Sequence, residues 1–86
     1  MKTIWKYQLY YGPNNVAVAK GAKVLGVVEQ SNAIQLYVLT DPDAVADTLL
    51  ELAVVYTGRY CDDNTGEYVG TVKLDGGSRI AHVFKL

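Results

Sequence analysis

Four side chains in this sequence could begin nucleophilic or acid–base chemistry: His82, Cys61, Ser31 and Ser78. Four others, Asp62, Asp63, Asn64 and Glu67, offer the oxygens a hard cation would take. Covalent catalysis needs a nucleophile, a base and a group that orients the base, or else a metal. His82 is the single histidine, enclosed by Ala81 and Val83, and strand alternation puts it with Ile80, Phe84 and Leu86. That is the setting of a packed or half-exposed strand residue. Ser31 and Ser78 lie among turn formers, without the G-x-S-x-G surroundings of a nucleophile elbow. Cys61 runs directly into Asp62 and Asp63, whose negative charge disfavours the reactive thiolate. The oxygen ligands do not follow a calcium loop, because the twelfth position counted from Asp62 is Lys73 where a bidentate Glu would stand. One cysteine also rules out an intramolecular disulfide or a cysteine-based zinc site. Neither common glycine-rich phosphate loop is present, and paired carboxylates would need a carbohydrate cleft that a chain of this size seldom builds. The expectation is a protein with no catalytic residues, no cofactor and no metal.

Charge offers more than catalysis does. From Asp41 to Glu67 the acids are Asp41, Asp43, Asp47, Glu51, Asp62, Asp63 and Glu67, opposed by Arg59 alone. Outside that stretch Lys2, Lys6, Lys20, Lys23, Lys73, Arg79 and Lys85 face only Glu29 and Asp75. A one-sided acidic face would steer the chain onto a basic partner. The alternative is ordinary surface charge that interleaves once strands pair. We take Asp41, Asp43, Asp47, Asp62, Asp63 and Glu67 as candidate partner contacts, with Tyr7 and Tyr10 of the first strand. A second reading has Lys20, Lys23, Arg59 and Arg79 hold a small anionic or nucleotide ligand between subunits of a homo-oligomer. Lys2, Lys6, Tyr7 and Tyr10 are a faint version of a nucleic-acid face, which the acidic middle dilutes, so nucleic acid is not the expected partner.

The elements that must position these groups are strands. In 86 residues, half of them hydrophobic and with seven tyrosines, there is room for one domain spanning 1–86 with a thin core. Residues 3–11 are β-branched and aromatic, with Trp5, Tyr7, Leu9 and Tyr11 on the face expected to meet the core. Gly12-Pro13-Asn14-Asn15 reads as a turn that breaks this strand, followed by a short apolar piece, Val16–Val18. Residues 23–30 and 34–40 form a hairpin through Ser31-Asn32-Ala33, and Gly26 marks a bulge in its first arm. Asp41-Pro42 is a helix-start signature. We read a loop or single helical turn at 42–46 and a strand over 48–56, with a helix over 43–53 as the alternative. Residues 59–66 form an exposed loop. The last hairpin joins 67–74 to 79–86 through Asp75-Gly76-Gly77, whose residues accept positive φ. The expected fold is mainly β: a small antiparallel sandwich, rolled sheet or barrel of about six strands, with at most one short helix near 42–50. No apolar run approaches the ~18 residues of a membrane span and no leader-like segment follows Met1-Lys2, so a soluble, cytoplasmic protein is expected.

Three stretches carry a resemblance: MKTIWKYQL, KGAKVLGVVEQSNAIQLYVLTDPDA and YTGRYCDDNTGEYVGTVKLDGGSRIAHVFKL. Together they are similar to a family of short uncharacterised proteins of tailed phages, prophages and plasmids. That family reads W-K-Y, K-G-A-K-[IV]-L-x-V, D-P, T-G, D-D, Y-x-G-T-x-x-L, G-G and a terminal H-V-F. Gly70, Gly76, Gly77 and His82 fall on the pattern, whereas Asp43–Leu50 is more helix-forming than it usually is. The resemblance implies a phage or mobile-element origin and brings no catalytic residue with it. Its members share no assigned activity; it is the seven-to-one acid excess of 41–67 that leads us to expect a non-catalytic accessory protein that binds a host protein or complex, one version being an inhibitor of a host defence complex acting through an acidic face. A minor virion or assembly component is a further alternative.

Overall fold

Period-two alternation of apolar residues governs the whole chain, and the computed structural model, which describes residues 1–64 and 66–86, turns it into strands. Among the described residues these are β1 (Thr3–Leu9), β2 (Gly12–Val18), β3 (Lys23–Gln30), β4 (Ala33–Thr40), β5 (Thr48–Tyr56), β6 (Glu67–Leu74) and β7 (Arg79–Lys85). All pairings are antiparallel. Sheet A has the order β1-β4-β3 and sheet B the order β2-β5-β7-β6. The two sheets pack face to face without closing into a barrel. Between them lies an aliphatic core in which Leu36 and Val38 of β4 meet Leu52 and Val54 of β5 and Val83 of β7.

The segment after Asp41-Pro42 settles as a short turn followed by a strand. Asp41 caps it, its Oδ1 accepting from the Asp43 amide at 3.0 Å, and the Ala44 amide donates to the Asp41 carbonyl at 3.2 Å. From Thr48 the chain is extended, because Leu50, Leu52 and Val54 alternate into the core while Leu49 and Glu51 face solvent. A helix over 43–53 would have turned Leu52 to the side opposite Leu50 and taken one of the two out of the core. Among the described residues there is thus no helix beyond a single 3-10 turn at Asp75–Gly77.

The strand count exceeds the expected number because Gly12–Asn15, expected as a turn, opens β2. The corner lies one step earlier, at Tyr10-Tyr11, where the chain leaves sheet A for sheet B. Asn14 supplies the turn chemistry there. Its Oδ1 accepts from the Tyr10 amide at 2.9 Å, and its Nδ2 donates to the Tyr10 carbonyl at 2.8 Å. Pro13 is tolerated because β2 is an edge strand, where a missing N–H breaks no ladder. The face of β1 expected to be buried is only partly so: Leu9 is in the core, Tyr7 packs half-buried against it, and Trp5 remains 44% exposed.

Both hairpins form as the sequence indicates. Ser31 and Asn32 take φ of 53° and 59°, the left-handed pair of a two-residue hairpin turn. Asp75, Gly76 and Gly77 take 52°, 65° and 102° in the β6–β7 connection. Gly26 follows the bulge in β3, and a second bulge precedes Gly70 in β6. The edges of the two sheets meet at Gly70, where a Cβ would come 2.7 Å from Val27 Cγ2. A side chain there would push β3 away from β6.

Candidate functional site

β5 and β6 lie on either side of β7 and run parallel to each other, so the chain between them must make a crossover. Glu67 pairs opposite Lys85, and Lys85 opposite Leu52, so the crossover travels back along β5 from Tyr56 before entering β6. It therefore lies against the outer face of sheet B. Gly66 holds its far end down: its φ is +82°, and a Cβ there would sit 2.2 Å from the Lys85 carbonyl oxygen. Between crossover and sheet is an open-sided cavity of about 320 Å3. Pro13, Ala53 and Val55 line it from the sheet, Tyr60, Asp62 and Asn64 from the crossover, and Tyr11 from the β1–β2 corner. The Asp62 Oδ1 accepts from the Asn64 amide at 3.1 Å, a local turn that orients the carboxylate without neutralising it.

The acids expected at a partner surface are distributed as follows. Asp43 and Asp47 are exposed in the β4–β5 connection, with Asp41 half-buried at its start. Asp62 and Asp63 are exposed in the crossover, and Glu67 opens β6. Among the described residues the one ion pair is Arg79 with Asp75, so none of these six acids is salt-bridged. Glu67 has cationic neighbours all the same, lining a cavity with Lys23 and Lys85. The two tyrosines separate: Tyr7 is half-buried against the core, and Tyr10 is exposed. The four candidate anion contacts do not converge. Lys20 and Lys23 flank the start of β3, which pairs with the end of β4, while Arg59 and Arg79 lie at the opposite end of the sandwich.

His82 acquires a setting that its sequence neighbours did not reveal. On the outer face of sheet B its Nε2 lies 2.7 Å from Thr57 Oγ1 and its Nδ1 lies 3.1 Å from Thr71 Oγ1, which in turn contacts the Tyr68 hydroxyl. The spacing is that of a nucleophile, a base and an orienting group. The orienting group is a neutral hydroxyl, so an imidazolium would gain no countercharge from it. No cavity among those described is lined by Thr57, Thr71 or His82. The arrangement ties β6 and β7 to the turn after β5. No three His, Cys, Asp or Glu side chains converge as a metal site among the described residues.

A second network, also not visible locally, joins the two sheets. Asn32, in the β3–β4 turn of sheet A, donates through Nδ2 to Asp75 Oδ1 at 2.7 Å and accepts at Oδ1 from the Asp75 amide at 2.8 Å. Asp75 also pairs with the Arg79 guanidinium, which donates to the Tyr56 hydroxyl at 2.9 Å and lies over the Tyr56 ring at 5.3 Å. Tyr11 stacks on Tyr56 at 4.7 Å. Arg79 first, and Asn32 second, hold the Asp75 carboxyl below its ordinary value of 3.8. A carboxyl lowered in the folded state stabilises the fold above the unfolded value and loses that contribution as pH falls through the folded one. The stability gap between the wild type and Asp75→Asn is therefore expected to be full above pH 3.8 and to close below it, as read by urea melts across that range. A gap that persisted in strong acid would contradict this role for Asp75.

No helix of the structure is long and apolar enough to cross a membrane, among the described residues. Over residues 1–86 the sequence matches the model of a family described as a domain of unknown function (DUF7352). Neither a curated protein nor a solved structure matches the chain.

Proposed function

The chain belongs to this domain family of unknown function, and from that premise we propose that it is a non-catalytic binding protein that captures a basic host protein or complex through the acids of 41–67. One observation carries the reading. Asp43, Asp47, Asp62 and Asp63 stand exposed in the two connections that flank β5, with Asp41 half-buried and Glu67 exposed at the start of β6, and none of the six is salt-bridged among the described residues. Carboxylates left solvated in this way cost the fold little and set up a field that speeds encounter with a cationic surface. The sequence motifs support a phage or mobile-element accessory protein working in the cytoplasm of a bacterial host. Occupying a basic surface meant for nucleic acid, as an inhibitor of a host defence complex would, is the concrete form of that role. Reversing Asp62, Asp63 and Glu67 to Lys is expected to abolish capture of the partner from host lysate while leaving the melting temperature within a few degrees. Undiminished capture by a folded triple variant would refute the proposal.

Self-assembly is a second reading with an observation in its favour. Ile4 and Val28 are 54% and 45% exposed on the outer face of sheet A, and Leu25, at the β3 bulge, is 47% exposed, which gives this sheet apolar side chains that a second copy could cover. Light scattering that gave the 9.4 kDa monomer mass at every concentration would remove it.

A further inference from the structure

We propose that the cavity between the β5–β6 crossover and the outer face of sheet B is a slot for an arginine side chain of the partner protein. The inference rests on the reading of a basic partner and names the group by which that partner is held. Each wall of the cavity matches a different part of arginine. Pro13, Ala53 and Val55 give an apolar floor for the aliphatic stem. Tyr11 and Tyr60 are in the lining, and aromatic rings attract a planar cation. Asp62, also in the lining, offers a carboxylate to the forked N–H donors.

Other occupants match less of the lining. An uncharged apolar group would cover the floor but strip water from Asp62 without replacing its hydrogen bonds. A lysine would satisfy the carboxylate but has no planar face to lay on the tyrosines. The protein already holds one guanidinium by this chemistry, with Arg79 lying 5.3 Å over the Tyr56 ring and paired to Asp75. The exposure of the cavity's own apolar residues also fits a covered state. Tyr60 is fully exposed and Leu86 is 54% exposed, although both line an apolar surface.

The test is an NMR titration of the full chain with N-acetyl-arginine amide, its neutral isostere N-acetyl-citrulline amide, and N-acetyl-lysine amide. Arginine is expected to give saturable shifts centred on Ala53, Val55, Tyr60 and Asp62, about tenfold tighter than citrulline and tighter than lysine. Asp62→Asn, which keeps the size of the side chain, is expected to abolish the preference over citrulline. Ala53→Phe, which fills the floor, is expected to abolish binding and to cut partner capture at least about tenfold with every carboxylate still in place. Equal binding of citrulline, shifts scattered over the surface, or no saturable shift would each overturn the slot. Capture that survives Ala53→Phe but not reversal of the three acids defeats the slot and leaves the binding function standing. Capture that survives both defeats the function as well.

Discussion

Leu52→Ala is expected to remove about 2–5 kcal/mol of stability, the range for truncating a buried leucine. Leu52 is 0% exposed at the centre of β5, between β2 and β7 in the sheet, and its side chain fills the space between the two layers. A domain of this length has about 4–13 kcal/mol in all, at roughly 0.05–0.15 kcal/mol per residue. One truncation therefore removes a large share, because a thin sandwich has few other core residues to absorb the loss. In a thermal melt the shift is about 10 °C or more downward. Glu51→Ala, one residue away on the solvent face, is the control and is expected to stay within about 0.5 kcal/mol of wild type. Similar losses from both would mean that β5 is not registered as described.

Gly66→Ala carries the second large effect, of a different kind. The added methyl meets backbone, with 2.2 Å to the Lys85 carbonyl oxygen and 3.1 Å to Leu86 Cα, and the residue must also keep a φ of +82°. Backbone cannot step aside as a flexible side-chain tip would, and a non-glycine residue held at positive φ adds about 1–3 kcal/mol. The upper bound is set by what it costs to lift the crossover off sheet B, since local opening relieves the clash. The expected result is a moderate fall in stability, fast amide exchange at 59–64, and an unchanged core. The cavity loses its outer wall, so binding to it is lost. Protection and affinity equal to wild type would show that the crossover is not seated on Lys85.

Much of the fold was legible because three segments combine period-two alternation with unambiguous turn chemistry. Residues 23–40 have Ser31-Asn32, residues 67–86 have Asp75-Gly76-Gly77, and Leu50, Leu52 and Val54 outweigh the helix signal of Asp41-Pro42. β2 was missed for a physical reason. Gly-Pro-Asn-Asn has turn propensity everywhere except on a sheet edge, where Pro13 has no ladder to break and Asn14 can bond the Tyr10 backbone instead. The buried fraction of Tyr7 was hidden for a related reason, since alternation gives a face but not how far along a strand the opposing sheet extends.

The candidate site was legible only as charge. That Asp41, Asp43, Asp47, Asp62, Asp63 and Glu67 are acidic is local information. Whether they stand among cations depends on pairings dozens of residues apart, such as Glu67 opposite Lys85. The cavity beneath the crossover could not be read at all. It exists because β7 separates two parallel strands and forces the connection to run back over Ala53 and Val55. The Asn32–Asp75 contact is equally non-local, joining two turns 43 residues apart.

The central claim, that solvated acids of 41–67 draw in a basic partner, has a direct test in the salt dependence of capture. Raising ionic strength from about 0.1 M to about 1 M shortens the Debye length from about 10 Å to about 3 Å. Exposed, unpaired carboxylates lose most of their reach over that range. Partner capture by the wild-type chain is expected to fall at least about tenfold between the two conditions. Capture that is constant or stronger in high salt would show that an apolar surface holds the partner, and would contradict the account.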